Sequence, residues 1–396
     1  MLGWEESLDA VRDSRRQPQI PTRAIIRSVV VMLLSRLGSL NALDQSGPSR
    51  FWPRWLGGPL PSADTVGRVC ALAHLEDIRR LNRHLYSQLK RNKALAPPAH
   101  GLMTAIVDAH ESHATYRRRC SGCLERVVDT REGPRVQYYH RYVALQLVGR
   151  DSFMVLDIEP LAPGEDEVAA ALRLLDRVRA AYPRAFDVVI GDALYADSRF
   201  FNWALDHGKD ALAVLKDDRR DLSQDARSLF ERTVPVTLPG GPRHRVCWDI
   251  EGFTTWPQVC QPVRVVRSLE KQSVRRQLDG QLEERTSEWM WVTTLSQARA
   301  STAAVVHLGH TRWSIENQDF NETVNRWYAD HVYKHEPTAM VAFWLLVTVC
   351  LNLFLAFYRR NLKPALRRAA SMLHIARLIA SELYAGMIPA LARAPP

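Results

Sequence analysis

Met103-Thr-Ala-Ile-Val-Asp108 and, further on, Phe186-Asp-Val-Val-Ile-Gly-Asp192 are the stretches on which the fold turns. Each is a short apolar run, rich in β-branched residues, that stops at an aspartate. Such a run reads as a buried strand carrying a carboxylate to its exposed end. Between them, residues 137–148 and 153–158 have the same strand-like character. An amphipathic helix then begins at Pro163-Gly-Glu-Asp-Glu, with acids in its first turn where the helix dipole favours them. After Asp192 come a helix over 197–207 and a short strand over 211–215. Three strands in a meander followed by alternating helix and strand predict a mixed sheet with helices on its faces. Ligand sites in such sheets lie at the carboxyl ends of strands, where Asp108 and Asp192 fall.

Outward from this centre the pattern changes on both sides. Residues 1–100 read as a helical domain, with one apolar stripe over 23–40 and another over 64–85, the second capped by Asp64. The Pro-rich segment 94–101 links it to a catalytic core whose first part is 101–216. Over 217–288 helical periodicity fades, and short β-like runs stand among glycines, prolines and charges, as a β-rich insertion would read. The core resumes over 289–360, and a helical tail occupies 361–396.

Lysine and arginine outnumber aspartate and glutamate, 53 to 43, giving a net charge of +10. A basic surplus of that size favours a polyanionic partner. Six cysteines in 396 residues do not make a disulfide framework, and with no secretory signal at the start the reading is a cytoplasmic chain with reduced thiols. Residues 339–358 are long and apolar enough to span a bilayer. Thr348, Asn352 and the lack of a second such segment favour a helix buried in a soluble core, away from any membrane.

A third carboxylate, Glu316, lies in Arg312-Trp-Ser-Ile-Glu316-Asn, on the edge of a helical stripe of Trp313, Phe320, Val324 and Trp327. An acid at such a position needs a cation or hydrogen-bond donors. Arg312, one turn earlier, supplies a salt bridge on one reading; a metal shared with Asp108 and Asp192 is the other. Two strand-borne carboxylates and one from a helix suit Mg²⁺, which takes a few carboxylate oxygens and leaves room for phosphate.

These motifs together resemble the DDE transposases of the insertion-sequence-four branch. The resemblance is carried by Val-Asp108-Ala-His-Glu, by Gly-Asp192-Ala-Leu-Tyr-Ala-Asp, and by Trp291-Val-Thr-Thr-Leu followed by Arg312-Trp-Ser-Ile-Glu316-Asn-Gln-Asp-Phe-Asn. It covers roughly residues 100–360. It implies an α/β fold, an RNase H-like mixed sheet flanked by helices and interrupted by a β-rich insertion, with helical segments at both ends. It also implies catalysis by Asp108, Asp192 and Glu316 with two Mg²⁺ (or Mn²⁺) ions. The implied partners are DNA, as terminal inverted repeats bound by the N-terminal helices and as target, and a second copy of the chain in the synaptic complex. A hydrolytic nuclease of the same fold, or a non-catalytic DNA-binding protein, are the alternatives. The family's third motif often carries Tyr seven residues before the Glu and Lys seven after; here these are Gly309 and Thr323. Lys334 or Arg326 are the available substitutes for the lysine, and Arg312 matches the family's arginine.

Four further groups stand out. His110-x2-His113 and Cys120-x2-Cys123 have the spacing of a structural zinc site, with His113 and His140 as the imidazole candidates; free thiols in a hairpin are the competing reading. His110 and Glu111 also flank Asp108 and are placed to orient groups around a metal. Arg117, Arg118 and Arg119 are either a solvated face or a clamp on the DNA backbone. The resemblance further implies an aromatic that stacks a flipped base, for which Trp289 and Trp291 are the candidates, with the core of a small sheet as the alternative. The arginine-rich run 264–276, which includes Lys271, reads as a DNA-facing surface.

Overall fold

The computed structural model describes residues 4–150, 152–216, 220–239, 243–275 and 281–384. Six helices open the chain: α1 (Trp4–Asp9), α2 (Thr22–Leu34), α3 (Leu40–Gln45), α4 (Phe51–Leu56), α5 (Ala63–Cys70) and α6 (Leu75–Arg91). The stripe over 23–40 is split between α2 and α3 because Arg36 adopts a left-handed conformation, φ 56°. That residue lets the Leu37 N–H fold back on the Met32 carbonyl, a helix-ending bond. The stripe over 64–85 likewise divides into α5 and α6, and the cap of α5 is Ser62, whose side chain accepts from the Thr65 N–H, not Asp64.

The sheet is built from β1 (Thr104–Thr115), β2 (Leu124–Thr130), β3 (Gly133–Val148), β4 (Phe153–Pro160), β5 (Val188–Gly191) and β6 (Asp210–Val214). To these the chain adds β7 (Val236–Leu238), β8 (Arg243–Phe253), β9 (Val263–Arg275) and β10 (Leu282–Thr293). The strand order is β2-β3-β1-β5-β6-β10-β9-β8-β7. β4 pairs with β3 through its second half, on the edge that β2 uses at the first half. The antiparallel meander β1, β3, β4 followed by the parallel strands β5 and β6 beside β1 is the RNase H-like arrangement. Helix α7 (Glu167–Ala181) carries the chain from β4 to β5, and α8 (Ser198–Asp206) from β5 to β6. Residues of the β-rich segment continue this sheet, because Trp291–Thr293 of β10 pair with Val214–Leu212 of β6.

Beyond the sheet lie α9 (Asp221–Phe230), α10 (Thr302–Thr311), a π-helical turn (Ile315–Phe320), α11 (Asn321–Trp327), α12 (Pro337–Arg360), α13 (Pro364–Ala369) and α14 (Met372–Tyr384). The apolar segment read above as a possible membrane span is α12. By length and composition it could cross a bilayer, but 89% of its apolar window is buried inside the protein. It packs against α2, α5, α6 and β4, so it is the central core helix joining the N-terminal helices to the sheet. Its polar residue Asn352 explains how. The free edge of β4 has unpaired backbone groups, and the Asn352 amide oxygen accepts from the Val155 N–H at 3.1 Å while its nitrogen donates to the Val155 carbonyl at 2.8 Å. The same nitrogen donates to Asn82 of α6 at 2.8 Å, and Asn82 in turn donates to the Val155 and Leu156 carbonyls. Two side-chain amides thus take the place of a further strand.

Candidate active site

Strand register brings the two aspartates together. β1 and β5 run parallel with Ile106 opposite Ile190. Asp108 and Asp192 each follow by two residues, so they leave neighbouring strands at the same level. β1 does not stop at Asp108. Its parallel partner ends, but its antiparallel ladder with β3 continues to Thr115 opposite Tyr138. Asp192 lies just past β5, where its Oδ1 accepts from the Leu194 N–H at 2.8 Å and starts a single 3₁₀ turn, Ala193–Tyr195. The turn is tight enough to need Gly191, since a Cβ there would fall 2.4 Å from Tyr195 side-chain atoms.

Glu316 reaches the same place from the π-helical turn Ile315–Phe320. There the Asn321 N–H bonds to the Glu316 carbonyl five residues back, the widened geometry that often marks functional positions. Arg312 joins this turn to β1. Its Nη1 donates to Asp108 Oδ2 at 3.3 Å and to Glu316 Oε1 at 2.9 Å, across a sequence separation of 204 residues for the first pair. The guanidinium is buried and its carbon lies 4.2 Å from the centre of the Trp313 ring. A cleft of about 400 Å³ opens beside the carboxylates, lined by Asp108, His110, Glu316, Phe320, Asn321 and Asn325 among others.

Burial raises the Asp108 carboxyl from its ordinary 3.8 to about 7; Arg312 opposes the shift and the charge of Asp192 adds to it. A fourth acid, Glu167 at the start of α7, contributes to the same field. Glu167 is buried, receives the Tyr195 hydroxyl at 3.0 Å and pairs with Arg141 at 2.6 Å. Its own carboxyl is raised by burial, with Asp192 adding to the shift. Sequence reading passed over Glu167, because an acid in the first turn of a helix looks the same whether it faces solvent or a site. Two arginines, Arg312 and Arg141, answer four carboxyls here among the described contacts. The remaining negative charge and the all-oxygen donor set of Asp108, Asp192 and Glu316 fit hard divalent cations such as Mg²⁺ or Mn²⁺.

The other residues singled out from sequence fall as follows. His110 faces the cleft, stacked on Phe320 at 5.0 Å, with Nε2 2.9 Å from Asp330 Oδ1. Glu111 is engaged elsewhere, in a two-bond pair with Arg126. Arg117, Arg118 and Arg119 are exposed on the β1–β2 connection, and Arg119 pairs with Glu125 at 2.8 Å. Lys334 lays its stem against Gly67 of α5 and is not among the residues lining the cleft. Arg326 pairs with Glu322 at 3.3 Å. Thr323, in the place of the family's lysine, is buried and donates to the Asp319 carbonyl.

Three expectations are corrected. Trp291 is fully buried in the core with its ring parallel to Trp289, 9° between planes, so it has no face to offer a base. Trp289 is half-buried between Trp291, His310 and Trp313. The arginine-rich run is not a uniform DNA-facing surface either. Arg264 is 2% exposed and bound to Asp249, and Arg267 pairs with Glu288 over the Trp248 ring; Arg276 lies outside the described residues. The thiols Cys120 and Cys123 stand beside His140, and the imidazole that completes the group is His335, while His113 has its ring 6.2 Å from that of His335.

Comparison with curated proteins finds no match. Residues 106–353 match the model of the transposase DDE domain, a span that takes in Asp108, Asp192, Glu316 and most of the sheet described above. Members of that family are metal-dependent DNA-processing enzymes that act on mobile elements. With that match running from near the start of β1 into α12, the chain belongs to the DDE transposase family.

Proposed function

We propose that this transposase cuts the phosphodiester backbone at the ends of its element and joins the freed 3′ hydroxyl to target DNA. In this reading Asp108, Asp192 and Glu316 hold a pair of Mg²⁺ or Mn²⁺ ions. Such ions, when bound, polarise the phosphoryl oxygens and lower the pKa of the attacking water or hydroxyl. The protein's own contribution is placement. The carboxylates ride on adjacent strands and a packed helical turn, so they need little reorganisation when DNA enters. Arg312 fixes the spacing of Asp108 and Glu316 and turns its remaining N–H groups toward a phosphate. His110, held by Asp330, lines the entrance, and the exposed Arg117 and Arg118 contact the DNA backbone. The N-terminal helices bind the terminal inverted repeats, and a second copy brings the two ends together.

The observation that carries this reading is the shared contact of Arg312 with Asp108 and Glu316, next to an Asp192 whose charge is felt at Asp108. The test is cleavage of a duplex carrying the element's end, with strand transfer assayed separately on pre-cut ends. Asp192→Ala and Glu316→Ala should each lose about 10³-fold or more of both activities, while gel-shift affinity for the end is unchanged. Cleavage retained by Asp192→Ala overturns the assignment. Wild-type cleavage without any joining of pre-cut ends would make the protein a hydrolytic nuclease.

A further inference from the structure

We infer that Cys120, Cys123, His140 and His335 bind one zinc ion that fastens the Asp108-bearing strands to the chain leading from the Glu316 turn into α12. The four ligand atoms lie within 4.8 Å of one another. A tetrahedral Zn²⁺ with ordinary bond lengths requires edges of about 3.8 Å between sulfurs, about 3.5 Å between sulfur and nitrogen, and about 3.3 Å between nitrogens. The structure has 3.7 Å between the two sulfurs. Three of the four sulfur–nitrogen edges are 3.4 Å for Cys120–His140, 3.3 Å for Cys123–His140 and 3.5 Å for Cys123–His335, and the fourth, Cys120–His335, is within 4.8 Å. The two Nε2 atoms are 3.4 Å apart. Both cysteines are free thiols.

The backbone is shaped for the same purpose. Cys120-Ser-Gly-Cys123 turns so that the Cys120 N–H donates to Cys123 Sγ at 3.3 Å, a contact that stabilises a thiolate and leaves its remaining lone pairs for a metal. Gly122 lies against Pro337 in the first turn of α12. Two ligands come from the β1–β2 connection and one from β3. The fourth, His335, is 195 residues beyond His140, between α11 and α12. Soft thiolates with imidazoles select Zn²⁺ over Mg²⁺. The ion is therefore distinct in chemistry from those proposed at the carboxylates, and its presence does not depend on that reading. Closing so long a loop through metal–ligand bonds adds stability and fixes the Glu316 turn against β1.

The test uses full-length, tag-free protein purified without added metal. Elemental analysis should find about one zinc per chain, falling to roughly a tenth or less in Cys123→Ser and His335→Ala and unchanged in His113→Ala. Cobalt-substituted wild-type protein should show thiolate-to-cobalt charge transfer and the intense visible bands of a tetrahedral ion, signals that carboxylates cannot give. The cobalt measurement requires no variant, so it decides the matter even where a ligand variant fails to fold. Folded wild-type protein that lacks zinc and gives no charge-transfer band overturns the inference. So does zinc that survives His335→Ala but is lost in His113→Ala.

Discussion

A Cβ placed on Gly309 would fall 2.3 Å from Nε1 of Trp291. The indole therefore fills the space that a side chain at 309 would need, and the tyrosine often found there in related transposases has no room. Gly309 lies in α10, where Gly→Ala ordinarily stabilises by about 0.5–1 kcal/mol. Here Gly309→Ala should destabilise by roughly 1–3 kcal/mol. In a Trp291→Val background, itself destabilised by a cavity, the same change should cost little or become favourable. Urea melts of the four proteins give the coupling; additive effects would refute the steric account.

Arg312 is the internal cation between Asp108 and Glu316. Arg312→Ala should lower the melting temperature without metal, because two carboxylates are left facing one another. The same variant should gain more from added Mg²⁺ than wild type does, since the ion replaces the lost positive charge. Cleavage should fall about 10²-fold or more. Arg312→Lys keeps the charge but not the flat contact on Trp313, and should recover the metal-free melting temperature better than the activity. Thermal melts with and without Mg²⁺, beside cleavage rates, separate these effects.

Asp319 is a buried residue of the π-helical turn, and burial alone raises its carboxyl from 3.8 to about 7. The folded protein thus keeps this proton to a higher pH than the unfolded chain does. Its contribution is complete below the unfolded value and is lost as pH climbs toward about 7, at up to about 1.4 kcal/mol per pH unit, then stays level. Asp319→Asn should remove this part of the slope and stabilise the protein at neutral pH. Urea midpoints at about pH 5 and about pH 8 in the two proteins test it; equal slopes would sink the idea.

Asn352→Leu preserves bulk in α12 but strips the side-chain acceptor from the Val155 N–H, one of two amide donors from the Val155 carbonyl, which keeps Asn82, and one donor from Asn82. It should cost about 2–4 kcal/mol. Asn82→Leu should cost a similar amount, and the double variant less than both together. Chemical denaturation reads all three.

Much of the centre of this molecule was legible because its signals are local. A β-branched run reaching an aspartate declares a strand and its acid within a few residues, twice over, and the wheel around Glu316 marks an acid beside an apolar stripe. What could not be read depends on distance. His335 is separated from its thiols by most of the catalytic core, so the zinc motif showed only three of its corners. Arg264 looks like surface until Asp249 of the neighbouring strand is set beside it. Trp291 could be assigned to core or surface only once β10 was known to pair with β6. Arg36 ends α2 in a backbone conformation that nothing in its own side chain announces.

The helix Pro337–Arg360 also decides what a shortened gene product can be. It is the last major piece of the core to leave the ribosome, and α2, α5 and α6 close around it. A polypeptide interrupted before it would lose the centre of the core that joins the N-terminal helices to the sheet. Early stop mutations should therefore leave the N-terminal helices without their central support, and DNA binding that rests on those helices should be lost with them.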